Sequence, residues 1–176
     1  QSPLKEGTLF KIAASHFLKK DYQAARESFN LLINTYPSGE YTALSRYFIA
    51  ESYRFAKQLK EASFSYGQLI SKDPNAPIAA NAAFKLGWGT YLQQNYSGAA
   101  DAFQKFIDLH PFHPWTPQAY LLMGNCYRTM GRSEDAVIAY QQTFDRAPKT
   151  ELAESAMTLL NRTRYLQGNY GQLSSG

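Results

Sequence analysis

Three histidines, one cysteine and a short run of aromatic residues are the side chains in this sequence that could do chemistry. His110-Pro111-Phe112-His113-Pro114-Trp115 puts two imidazoles in one loop. No cysteine or carboxylate cluster stands near enough to complete the usual tetrahedral ligand set. His16 is remote in sequence. Cys126 has no histidine beside it to take its proton, so it reads as a small packing residue rather than a nucleophile. Gly87-Trp88-Gly89 is not followed by a phosphate-binding motif. No group of polar residues converges into a catalytic constellation. The expectation is a protein that is not an enzyme and that carries no metal and no cofactor.

Composition narrows the classes further. The chain has 176 residues, 44% of them apolar and 15% aromatic, which is enough to close a core and too ring-rich for a disordered chain. A single cysteine excludes an internal disulfide framework. The 18 Lys and Arg against 14 Asp and Glu are interleaved, without the basic clustering that nucleic acid requires. No stretch approaches the roughly 18 apolar residues of a membrane span. The first residue is Gln1 rather than Met, as expected of a fragment or a processed product.

The elements are set by a repeat. Pro37, Pro74, Pro111 and Pro148 are 37 residues apart, and Ala25, Ala62, Ala99 and Ala136 keep the same register. So do the small residues Ala13, Ala50, Gly87 and Gly124, and the rings Phe29, Tyr66, Phe103 and Tyr140. Ile12, Ile49, Leu86 and Met123 form a further column. Within each unit the apolar spacing is helical, as at Leu9, Ile12, Ala13 and His16. Each unit is therefore two amphipathic helices joined by a short turn, expected near 5–19, 22–35, 42–56, 59–72, 78–93, 96–109, 117–130 and 133–146, with a ninth at 151–167. Thr116-Pro117 reads as a capping hydroxyl followed by proline at the first helical position. Two helices approach closely only where their contact residues are short, which explains the small columns. The fold class is all-α: a right-handed α-α superhelix of four 37-residue hairpins plus a ninth helix, filling 1–176 as one array with units at about 5–41, 42–78, 79–115 and 116–152 and a partial fifth at 151–170.

These columns of small residue, alanine, aromatic and closing proline resemble the tetratricopeptide repeat over about residues 5–150. The unit is three residues longer than the family's usual 34, the surplus following each proline. A longer first helix or a wider gap between units is expected. Units of this length, with Tyr36-Pro37-Ser38-Gly39-Glu40-Tyr41 at the junction, look like those of bacterial periplasmic and outer-membrane repeat lipoproteins of β-barrel assembly or the Tol-Pal system. The resemblance implies a periplasmic or outer-membrane-associated protein that binds a peptide or helix of another protein in a concave groove lined by the first helices. That face, read at i, i+4 and i+7, is Phe10, Ala14 and Phe17; Tyr47, Glu51 and Arg54; Phe84, Trp88 and Tyr91; Leu121, Asn125 and Arg128; then Arg162 and Tyr165. Tyr47, Arg54, Trp88 and Tyr91 form the expected hot patch, and Arg54 and Arg128 would meet acids of the partner. Family members that grip acidic chaperone tails use lysine and asparagine where this sequence has Phe10 and Ala14, so that role is not expected. No polar capping helix is evident. Gly168-Asn169-Tyr170 reads as a turn opening another second helix, so self-association through the last helix, as a segment of a larger repeat protein, is the alternative.

Overall fold

The structure is a computed structural model that describes the backbone of residues 3–173 and the surroundings of side chains 5–168. Among the described residues there are nine helices and no strand: α1 (Pro3–Leu18), α2 (Tyr22–Thr35), α3 (Thr42–Phe55), α4 (Leu59–Lys72), α5 (Ala79–Leu92), α6 (Tyr96–Leu109), α7 (Thr116–Thr129), α8 (Ser133–Arg146) and α9 (Glu151–Leu173). The chain divides into two compact units, residues 1–93 and 94–176. In the first, α1 to α5 each pack on the next helix, and α1 also touches α3. In the second, α6 to α9 pack in the same serial way, and α7 also touches α9.

The small columns sit where the helices meet. Ala13 and Ala25 enclose Phe29, and Ala50 and Ala62 enclose Tyr66, all of them buried. In the second unit Ala136 and Gly124 are buried with Tyr140. One column departs from the expected core. Ile12 is 48% exposed, because no helix among the described residues precedes α1 to cover it, whereas its counterpart Met123 is buried.

Before α3, α5 and α7 the surplus residues enter the linkers and not the helices, since α2 to α8 are all 14 residues long; before α9 the linker is only 147–150 and the helix starts earlier, at Glu151. Each of these three linkers is two consecutive turns. Gly39 N–H donates to Tyr36 O at 3.0 Å and Thr42 N–H to Gly39 O at 3.3 Å. The same pair recurs at Ala76 and Ala79, and at His113 and Thr116. Thr116 is not the cap that the sequence suggests. It is the first residue of α7, with Trp115 at the cap position, and its hydroxyl donates to His110 O at 2.8 Å. Thr42 does the same to Tyr36 O in the first unit. The threonine therefore ties these two linkers across their base, whereas the linker before α5 ends on Ala79 and lacks the bond.

The turns inside the hairpins share one conformation. Lys20, Lys57, Gln94 and Gly131 all have φ between 61° and 76°. At Gln58 and Lys57, the N–H groups return to Tyr53 O and Arg54 O at 2.9 and 3.0 Å, closing a Schellman motif; the pairs at Asp21 and Lys20 and at Arg132 and Gly131 match it. Only one of these left-handed positions is glycine, and nothing lies within 4 Å of where its side chain would be. Gly131→Ala is expected to lose about 1 kcal/mol from backbone conformation alone. Lys57→Gly is expected to raise the melting temperature slightly, and thermal denaturation of the two variants checks both signs.

The last helix differs from expectation in two ways. Gly168-Asn169-Tyr170 is not a turn, because α9 runs through it to Leu173. At the register where α1, α3, α5 and α7 carry Ala13, Ala50, Gly87 and Gly124, α9 carries exposed Asn161, so it lacks the notch that admits a second helix.

Candidate partner-binding face

Every helical residue of the expected face lies on a first helix, but the residues divide into those that pack and those that face outward. Phe10 and Phe17 are interhelical packing residues. Phe10 meets Phe29, Tyr41 and Phe48 with ring centroids 5.7, 4.8 and 5.9 Å apart, and Phe17 meets Phe48 and Phe55 at 5.1 and 5.7 Å. Phe84 and Leu121 are buried, the second beside Ala136 and Leu160. Tyr47, Trp88 and Tyr91 remain half-exposed on the first unit. Trp88 and Tyr91, three residues apart on α5, stack with centroids 5.8 Å apart and planes 19° from parallel. Ala14 is half-buried; Arg128, Arg162 and Tyr165 are exposed.

The charged residues of α3 are already satisfied. Glu51 keeps only 8% of its side chain exposed, and Arg54 reaches it with Nη2 at 2.5 Å from Oε2 and Nε at 3.1 Å from Oε1. The Tyr66 hydroxyl, from α4, donates to the same Oε1. The Arg54 guanidinium also lies 4.0 Å over the Phe55 ring. Burial, and then the Glu51 charge, push the Tyr47 hydroxyl up to about 12 and raise Tyr66 further. The carboxylate holds Arg54 above the usual guanidinium range. Arg54 is thus an internal partner of Glu51, which corrects the expectation that it waits for an acid on a ligand. Arg128 forms no ion pair among the described residues.

The second unit repeats this design without charge. Tyr140 donates its hydroxyl to Asn125 Oδ1 at 2.9 Å, so Asn125 is partly engaged by its own hairpin. Tyr66 and Tyr140, buried on the second helices, support the face from beneath, and the spacing of the first helices alone does not identify them.

The candidate chemical residues have structural duties. His113 Nδ1 accepts the Trp115 N–H at 3.1 Å inside the linker, and burial, with His110 nearby, lowers its pKa. Among the described residues no group of three or more His, Cys, Asp or Glu could hold a metal ion. No helix among them is long and apolar enough to cross a membrane. Cys126 is fully buried in α7 and its thiol is pushed up to about 11 by burial. Its neutral form is therefore favoured in the folded chain. The stability this contributes is complete below the unfolded thiol pKa and is lost as pH rises from about 9 to 11. Urea titrations across that interval are expected to show a falling midpoint, and a smaller fall in Cys126→Ala.

A serial stack of helical hairpins, notched by alanine and presenting rings from its first helices, defines a helical-repeat scaffold. Residues 4–161 match the tetratricopeptide repeat-like domain family, and the chain belongs to it. Similar solved structures share this fold at low identity. A tetratricopeptide repeat protein from Parabacteroides merdae superposes with a TM-score of 0.77 at 17% identity, over 94% of this chain and 61% of that one. MamA gives 0.66 at 18%, over 92% and 97%. The repeats of a Podosopora anserina putative kinesin light chain give 0.69 at 13%, over 99% and 92%.

Proposed function

We propose that the protein is a non-catalytic scaffold that holds a peptide or helical segment of another protein against its first helices. The fold is generally that of a protein-interaction module. The observation that carries the reading here is the half-exposed ring set of the first unit, Tyr47 with the stacked Trp88 and Tyr91, set beside a carboxylate whose charge is already met. Such rings are the usual anchors of protein interfaces, being large, rigid and able to hydrogen-bond at one end. Within this proposal the setting is a bacterial cell-envelope assembly, a reading supported by the long repeat unit and its junction sequence. Crosslinked capture from envelope extract tests both. The native chain is expected to recover a discrete partner, which Trp88→Ala with Tyr47→Ala loses while melting normally. Recovery only from cytosolic extract would reject the envelope setting.

Self-association through α9 is the second reading. Tyr165 is 69% exposed, and Thr163, Leu166 and Gln167 of the same helix line a cleft of about 700 Å³ with Arg128, Arg132 and Asp135. A concentration-dependent dimer in light scattering, abolished by Tyr165→Ser with Leu166→Ser, would favour it.

A further inference from the structure

Each first helix of the unit 1–93 ends on a large apolar residue that stays in solvent. Leu18, Phe55 and Leu92 recur 37 residues apart and are 79%, 47% and 44% exposed. Each directly follows a residue of the candidate face, namely Phe17, Arg54 and Tyr91, so together they form its margin at the hairpin turns. Phe55 is fixed from behind: it stacks on Tyr22 at 5.9 Å and 12°, and meets the edge of Phe17 at 5.7 Å. An apolar residue repeated at one position of three successive helices is an organised surface, unlike the scattered exposure that surfaces ordinarily show.

The charges beside the first two anchors are mostly basic, with exposed Lys60 and one exposed acid, Glu61, opening α4. Lys19, Lys20 and Lys57 are exposed in the adjoining turns. The acid in those turns, Asp21, is occupied as the cap of α2, accepting the Ala24 N–H at 3.1 Å. Glu51, the acid of the neighbouring face, is neutralised by Arg54. Spacing supplies the remaining constraint. Helices in contact, as α1 and α3 are, lie about 8–10 Å apart. Seven residues of an α-helix advance about 10.5 Å, so one apolar residue every two turns would meet the anchors of α1 and α3, and the same repeat carries the line on to Leu92 of α5.

We propose that Leu18, Phe55 and Leu92 are the anchor line for an amphipathic helix of another protein, with an apolar stripe at heptad spacing and acidic flanks. This rests on the scaffold reading above and adds the chemical class of the partner. The test uses three synthetic helices with leucine at the same heptad positions and glutamate, glutamine or lysine at the flanks, titrated calorimetrically into the whole chain. The glutamate helix is expected to bind at least about tenfold tighter than the lysine helix and to weaken with added salt. Leu18→Ser with Leu92→Ser, compared with Leu18→Ser alone at the 79% exposed position and with melting measured for both, is expected to weaken it by about tenfold or more.

Trp88→Ala separates the two readings. Loss with the leucine pair, with or without loss in Trp88→Ala, supports the stripe, and loss with both places the helix across the stripe and the rings. Loss with Trp88→Ala alone supports the ring face and overturns the stripe. No binding by any of the three helices, equal binding by all of them, or leucine-dependent sedimentation with phosphatidylglycerol vesicles in place of helix binding also overturns the proposal.

Discussion

Arg54→Met is expected to lower the stability of the chain by about 3 kcal/mol, the largest effect of any single polar substitution considered. The substitution keeps the apolar, unbranched stem of the side chain and removes its cation. Glu51 then stays in a site that leaves 8% of its side chain to solvent, with the Tyr66 hydroxyl as its remaining partner. A buried carboxylate stripped of its cation is far more costly than a buried pair is beneficial, so the double variant Arg54→Met with Glu51→Gln should recover much of the loss. Tyr66→Phe removes one hydrogen bond and is expected to cost about 1 kcal/mol. Chemical denaturation of the four proteins tests the order. Equal stability of Arg54→Met and the native chain would mean that the ion pair is only a surface contact.

The fold was readable because a structural repeat copies its steric requirements. The alanine and glycine columns, the rings and the prolines each mark one recurring contact, and repetition separates them from chance. The helix ends were readable for the same reason. The destination of the surplus residues was not, because a longer helix and a longer linker use the same number of residues. Only the hydrogen bonds of Gly39 and Thr42, and of their equivalents, decide for the linker.

The ring-lined face was only partly legible. Helical spacing selects the side of a helix but not how deeply the next hairpin covers it, so Phe84 and Leu121 were grouped with Trp88 although they are buried. The duty of Arg54 was hidden because an i,i+3 acid–base pair on a helix reads equally as a solvated surface pair, and the depth at which Glu51 lies is set by Tyr66 of the other helix of the hairpin. A signal for it does exist in the sequence. The ring column is tyrosine at Tyr66 and Tyr140, where the residue fifteen positions earlier is polar, Glu51 or Asn125. It is phenylalanine at Phe29 and Phe103, where that residue is Ala14 or Trp88. A hydroxyl in the core requires an acceptor, and the two columns change together.

Gly124→Leu is expected to cost about 3 kcal/mol, at the upper end for an overpacked core. A Cβ at this position would lie 2.6 Å from the Tyr140 ring, closer than carbon atoms approach. The ring is fully buried between Gly124 and its own helix, so it cannot retreat without giving up the hydrogen bond to Asn125. Gly124→Ala should show a smaller loss, of about 1–2 kcal/mol. Adding Tyr140→Phe should relieve little of it, because the collision is with ring carbons and not with the hydroxyl. A native-like melting curve for Gly124→Leu would show that the ring has room to move.

Within each unit every helix leans chiefly on the one before and the one after, and each linker is closed by bonds to residues only a few positions away. Loop closure over long distances is therefore hardly required, and assembly should be quick, nucleating at any well-formed pair and spreading outward. The same arrangement lets the chain come apart from its extremities inward. Amide exchange is expected to be slowest at Leu69 and Tyr66 and fastest toward the outer turns of α1 and α9, so a partner gripping several first helices at once would act as a clasp against that fraying.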